Sequence, residues 1–144
     1  KTDCTIDYEY LGGNMSENSN SVSKGARIAG WIISILPVLL LLFSATFKFL
    51  QPGEEFKKGL EQMGWTADTM FKLGFVEIGC AVLYLIPRTS VIGAILLTGY
   101  LGGAVATHVR IGDPSFVTAL ILGLLIWLGL WLRDPRLKAV LPLS

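Results

Sequence analysis

Three formally charged side chains stand inside otherwise apolar runs of this sequence: Lys48, Lys72 and Glu77. Glu77 lies eight residues after Thr69 and ten before Pro87. At a rise of ~1.5 Å per helical residue, that places it near the middle of a membrane span. A carboxyl group so deep cannot reach the headgroups, so it must be protonated, paired or turned toward a polar cavity. Its helical neighbours three, four and seven residues on are Cys80, Ala81 and Tyr84, a small and aromatic stripe suited to a bundle interior. Lys48 shares a helix face with Pro37, Leu41 and Ser44 at the end of the preceding apolar run. It either snorkels to the headgroups or turns inward toward Glu77. Lys72 stands near the start of its run, and snorkelling as an anchor is its expected role.

The lone histidine, His108, closes a third run, one face of which reads Gly93, Leu97, Tyr100, Ala104 and His108. If successive spans alternate in direction, Lys48 and His108 share one level, with Glu77 and Tyr100 about two helical turns below. Arg110 and Asp113 are placed to close the top. Lys48, Glu77, Tyr100, His108 and Arg110 are therefore the candidate ligand-binding or proton-relay residues. A terminal histidine packed at an interface and a snorkelling lysine are the ordinary readings of the same residues taken singly. No residue declares itself as catalytic, and whether the protein is an enzyme stays open at this level.

Other chemistries leave no trace. The sequence has no phosphate-binding loop, dinucleotide fingerprint, G-x-S-x-G elbow or metal motif. One histidine excludes multi-histidine metal sites built from one chain, and leaves b-type haem only to axial ligands shared across a dimer. The two cysteines, Cys4 and Cys80, form neither a C-x-x-C motif nor a disulfide framework.

The elements that must position these groups follow from composition. Of 144 residues, 52% are hydrophobic and 16% charged, with mean hydropathy +0.58. A soluble domain carries about 25% charge, so this balance excludes an ordinary soluble fold, a disordered chain and a nucleic-acid binder. Ile28 to Phe47 and Ser90 to Val109 are twenty residues each without a formal charge. Ser115 to Leu132 adds eighteen more, and the run from Thr69 to Pro87 is the fourth. About 20 residues of helix cross a bilayer. The predicted fold is an all-α membrane protein, a four-transmembrane-helix bundle over residues 27–135 in which the lipid bilayer is the solvent. Pro52-Gly53 and Pro87 end spans one and two, Asp113-Pro114 reads as the N-cap and first turn of span four, and Asp134-Pro135 ends it.

Between spans one and two, Phe56, Leu60 and Met63 fall on one face with Glu54, Lys57, Lys58 and Glu61 elsewhere. This is the pattern of a short interfacial helix. Residues 1–26 read as a polar, disordered tail in which Met15 is a candidate start, making 1–14 a candidate non-native segment; 136–144 form a short C-terminal tail. Lys24, Arg27, Arg88, Arg133, Arg136 and Lys138 flank one end of the spans, a slight excess that places both termini in the cytoplasm and Trp31 and Trp131 in the inner aromatic belt. Gly99, Gly103 and Thr107 form a small-residue stripe, expected to serve helix packing within the bundle or, more sharply, in a homo-oligomer.

These residues resemble the DoxX-like family of small bacterial integral membrane proteins. The resemblance covers about residues 27–135. It rests on Ser44-Ala45-Thr46-Phe47-Lys48, on Gly74-Phe75-Val76-Glu77-Ile78-Gly79, and on Gly103-Ala104-Val105-Ala106-Thr107-His108-Val109-Arg110 followed by Gly112-Asp113. Lys48, Glu77 and His108 are the positions that match the family's polar features. The family takes its name from a subunit linked to thiosulfate:quinone oxidoreduction, and other members are associated with oxidative stress. The resemblance thus implies an inner-membrane protein, quinone as the candidate cofactor and a redox protein as the candidate partner. A proton-coupled transporter and a non-catalytic assembly subunit are the competing readings.

Overall fold

The computed structural model describes residues 23–51 and 53–140. The tail up to residue 22, with Cys4 and the candidate start at Met15, and residues 141–144 lie outside the described residues. Six helices follow in order: α1 (Lys24–Leu50), α2 (Gly53–Met63), α3 (Ala67–Leu85), α4 (Ser90–Arg110), α5 (Phe116–Arg133) and α6 (Pro135–Val140). No strand occurs among the described residues.

Local chemistry sets the ends. The Ser23 hydroxyl accepts from the Ala26 amide at 3.2 Å and starts α1 inside the stretch read as tail. Thr66 does the same for α3 through the Thr69 amide. At its other end, α1 stops on Gln51, whose left-handed backbone (φ 42°) returns its amide to the Phe47 carbonyl at 2.8 Å. Ile86 caps α3 in an extended conformation, as its place before Pro87 requires. The start of α5 differs from expectation. Asp113 does cap the turn, its carboxylate accepting from the Ser115 amide two residues on at 2.9 Å as an N-cap does, but regular helix does not start beside it. Pro114 and Ser115 then accept i+3 bonds in a tighter turn, and regular helix begins at Phe116. The expected C-terminal tail is helical from Pro135 to Val140.

The long helices pack in sequence around a common centre: α1 lies against α3 and α5, and α4 lies against the same two helices. Two crossings are close enough to require glycine. A Cβ at Gly93 of α4 would stand 2.3 Å from the Tyr84 backbone nitrogen of α3. At Gly129 of α5, a Cβ would stand 2.5 Å from the Ser34 hydroxyl of α1.

The distribution of polarity is inverted relative to a water-soluble domain. Ile28, Phe43 and Leu124 are each more than 60% exposed, whereas Ser34, Glu77, Ser90 and Arg133 are buried. So much exposed aliphatic and aromatic surface is what a hydrocarbon solvent permits and water does not. Among the described residues, three helices are long and apolar enough to cross a membrane: α1, α4 and α5. The apolar runs predict four spans; α3 falls short on composition because Asp68, Lys72 and Glu77 lie within its 19 residues.

Candidate functional site

Glu77 is positioned by the apolar periodicity of α3, whose buried face runs Met70, Gly74, Glu77, Cys80, Ala81 and Tyr84. Its side chain is 1% exposed. Lys48 reaches it from the last turn of α1, its Nζ donating to Glu77 Oε2 at 2.8 Å and to Ser44 Oγ at 2.7 Å. Of the two roles open to Lys48 in the sequence, the inward one is taken. Pairing suits the environment, since an isolated charge in hydrocarbon costs about 2.5–3.5 kcal/mol or more. From α4, the Tyr100 ring centroid lies 5.8 Å from the Lys48 ammonium, and its hydroxyl interacts with the Glu77 carboxylate.

These three groups line one side of a cavity of about 1010 Å³. Its walls are mainly apolar, with Leu41 from α1, Met70 and Leu73 from α3, and Ala119 and Leu122 from α5. Met63 at the end of α2 and Trp65 just after it border the cavity. The lining includes Val76 of α3 and Leu96 of α4, 51% and 44% exposed, so the cavity reaches the outer apolar surface between those helices.

His108 lines the same cavity but is engaged elsewhere. Its Nδ1 lies 2.8 Å from Asp113 Oδ2, and since a carboxylate only accepts, the imidazole donates. Asp113 also accepts from the Ser115 amide at 2.9 Å and from the Ser115 hydroxyl at 2.8 Å. Those donors, first the Ser115 amide, then its hydroxyl and His108, hold the Asp113 carboxyl below the usual carboxylate range.

Arg110 is not brought to the cavity. It ends α4 exposed and donates to the Met63 carbonyl, which the turn at Gly64 (φ 75°) presents to it. Asp113 likewise serves the α4–α5 turn and is absent from the lining, so the expected closure by Arg110 and Asp113 does not form. The glycine stripe needs a similar correction. A Cβ at Gly99 or Gly103 would meet nothing within 4 Å, so no helix of the described chain packs there. Both glycines and Thr107 instead wall the cavity, with the Thr107 hydroxyl bonded back to the Gly103 carbonyl at 2.9 Å. Lys72, exposed, pairs with Asp68 at 2.6 Å along α3.

A sequence model described as the DoxX-like family matches residues 32–130, about two-thirds of the chain. The chain belongs to the DoxX-like family. No curated protein and no solved structure matches it. Family membership and the three long apolar helices make it a multi-pass membrane protein. The matched segment of this DoxX-like protein includes Lys48, Glu77, Tyr100 and His108, together with most of the cavity wall.

One polar cluster escaped the sequence reading. At the opposite end, Tyr84 is fully buried and its hydroxyl donates to the Ile126 carbonyl at 2.8 Å, with Ser34 Oγ at 2.9 Å. Arg133, read from sequence as a flanking cation, is 7% exposed and stacks between the Trp31 and Tyr84 rings at 4.5 and 4.4 Å. It donates to the Tyr84 carbonyl. The available signal was Ser34, three residues before Pro37 on the helix face that carries Lys48.

Proposed function

We propose that this DoxX-like protein binds an amphipathic small molecule of the quinone class within the bilayer and serves as a membrane redox partner. The carrying observation is the buried Lys48–Glu77 pair on the wall of a mainly apolar cavity that reaches the lipid-facing surface. Such a cavity has the character of a small-molecule site: apolar walls with a few convergent polar groups. In the proposed arrangement α3 also crosses the membrane, completing a four-helix transmembrane bundle. Its 19 residues span about 28 Å at 1.5 Å per residue, close to the ~30 Å hydrocarbon core. α2, amphipathic with Phe56, Leu60 and Met63 turned inward, lies along the outer interface. The termini face the cytoplasm of a bacterial inner membrane.

The residues present fit a quinone. Lys48 and Tyr100 offer donors for carbonyl oxygens, Glu77 holds or releases a proton beside them, and the Leu and Met walls suit an isoprenoid tail. A bound quinone would supply two-electron, two-proton chemistry. Lys48 orients, Glu77 supplies the proton site, and α1, α3 and α5 keep bulk water from it.

Titration of nanodisc-embedded protein with a short-chain ubiquinone analogue tests this reading. Saturable binding to the wild type, weakened about tenfold or more in Glu77→Gln, is expected. Equal affinity in both, or none in the wild type, leaves the pair a helix-register device of an assembly subunit. A flux that follows a pH gradient in liposomes would instead favour a transporter.

A further inference from the structure

A second cavity, of about 430 Å³, opens at the other end of the molecule, where α1 begins, α3 meets α4 and α5 runs into α6. Its lining brings together four arginines distant in sequence: Arg27 of α1, Arg88 of the α3–α4 turn, Arg133 of α5 and Arg136 of α6. None of the four forms an ion pair among the described residues. Three of them, Arg27, Arg88 and Arg136, are exposed.

Arg133 is the exception in burial. It is 93% buried, held by its two aromatic neighbours, and spends Nη2 on the Tyr84 carbonyl. Its Nη1 is buried with no hydrogen-bond partner. A buried guanidinium N–H without a protein acceptor is costly and calls for one, and Arg133 is part of the lining of this cavity. The sole acid in the lining, Asp134, is already engaged: Oδ1 accepts from the Arg136 amide at 2.9 Å, and Oδ2 lies 3.5 Å from the Ser90 hydroxyl. The beginning of α4 at Ser90 contributes the positive end of a helix dipole to the same place.

We propose that this cavity binds a phosphate group, with Arg133 as its buried anchor and Arg27, Arg88 and Arg136 as its rim. Planar guanidinium forks suit phosphate oxygens, which accept two bonds at once. The cavity lies at the same end as the span-flanking cations, where the headgroups of anionic phospholipids would stand. Free phosphate offers the same chemistry from solution. The site is separate from the Lys48–Glu77 cavity and does not rest on its ligand.

The test compares the wild type with the triple variant Arg27→Gln/Arg88→Gln/Arg136→Gln. These three positions are exposed, so the variant is expected to keep the wild-type Tm in neutral detergent. Native mass spectrometry is recorded after titration with phosphatidylglycerol, and thermal shift with inorganic phosphate. One retained phosphatidylglycerol, weakened about tenfold or more in the triple variant, supports the proposal with a lipid headgroup as source. A phosphate-dependent shift lost in the triple variant, without lipid retention, supports it with free phosphate as source. Lys57→Gln/Lys58→Gln, which removes two cations from α2, should behave as wild type in both assays. Equal binding by all three proteins, or none by the wild type, overturns the proposal. Arg133→Lys, which keeps the charge and removes the fork, gives a second reading: lost retention is expected, and unchanged affinity counts against the anchoring role.

Discussion

Lys48 Nζ sits 2.8 Å from Glu77 Oε2, tying the end of α1 to the middle of α3 across 29 residues of sequence. Both partners are largely removed from solvent, with 14% and 1% of their side chains exposed. Breaking one side leaves an uncompensated buried charge. Lys48→Met and Glu77→Leu should therefore each destabilise by about 3–5 kcal/mol, and the double variant by far less than the sum. Unfolding in mixed micelles measures the cycle. Strictly additive losses would mean the two groups are not coupled.

The helix crossings predict opposite outcomes for similar substitutions. Gly93→Ala pushes a Cβ into the Tyr84 backbone and should cost about 1–3 kcal/mol. Gly99→Ala and Gly103→Ala meet open space and should be neutral, or stabilising by about 0.5–1 kcal/mol through helix propensity. Thermal unfolding in detergent distinguishes them. A destabilised Gly103→Ala would show that a second helix does pack on the stripe, as in an oligomer.

The Tyr84 hydroxyl joins α3 to α1 and α5 through Ser34 and the Ile126 carbonyl. Tyr84→Phe leaves both without that partner in a buried setting, for an expected loss of about 1–3 kcal/mol. Ser34→Ala removes one of these bonds while Tyr84 keeps the other, and should cost less. Tm values of the two variants give the comparison.

Asp113 supplies a pH dependence with a defined sign. Its carboxyl is depressed in the folded protein by the Ser115 amide and hydroxyl and by His108. A depressed acid stabilises the fold above its unfolded value of about 3.9, and that contribution fades as pH falls through the folded value. The Tm difference between wild type and Asp113→Asn should therefore hold steady from neutrality to about pH 5 and shrink below about pH 4. A difference that grows on acidification contradicts the assignment.

Much of this was legible in the sequence, for physical reasons that also explain the gaps. Apolar runs broken by Pro87 and Asp134-Pro135 mark the ends of α3 and α5 closely, because proline and charge act locally. The inward face of α3 followed from Glu77, since a deep carboxylate has few places to go. Arg110 was misplaced because the turn that draws it away, at Gly64, depends on the path of a loop rather than on helical periodicity. The glycine stripe meets no helix of the described chain, because small residues permit close approach but do not supply the neighbour. Arg133 looked like an ordinary flank cation. Only the meeting of α1, α3 and α5 reveals that Trp31 and Tyr84 enclose it.

The cavity beside Lys48 and Glu77 is proposed to hold a quinone-class molecule. Gly103→Phe is the most direct test, because Gly103 lines the cavity and a Cβ there meets no existing atom within 4 Å. A photoreactive ubiquinone analogue is cross-linked to the protein in nanodiscs and the labelled peptides are mapped. Labelling of the cavity-lining stretches of α3 and α4 is expected in the wild type, reduced about tenfold or more in Gly103→Phe at unchanged Tm. Labelling spread evenly over the lipid-facing surface, and unaffected by Gly103→Phe, would contradict it.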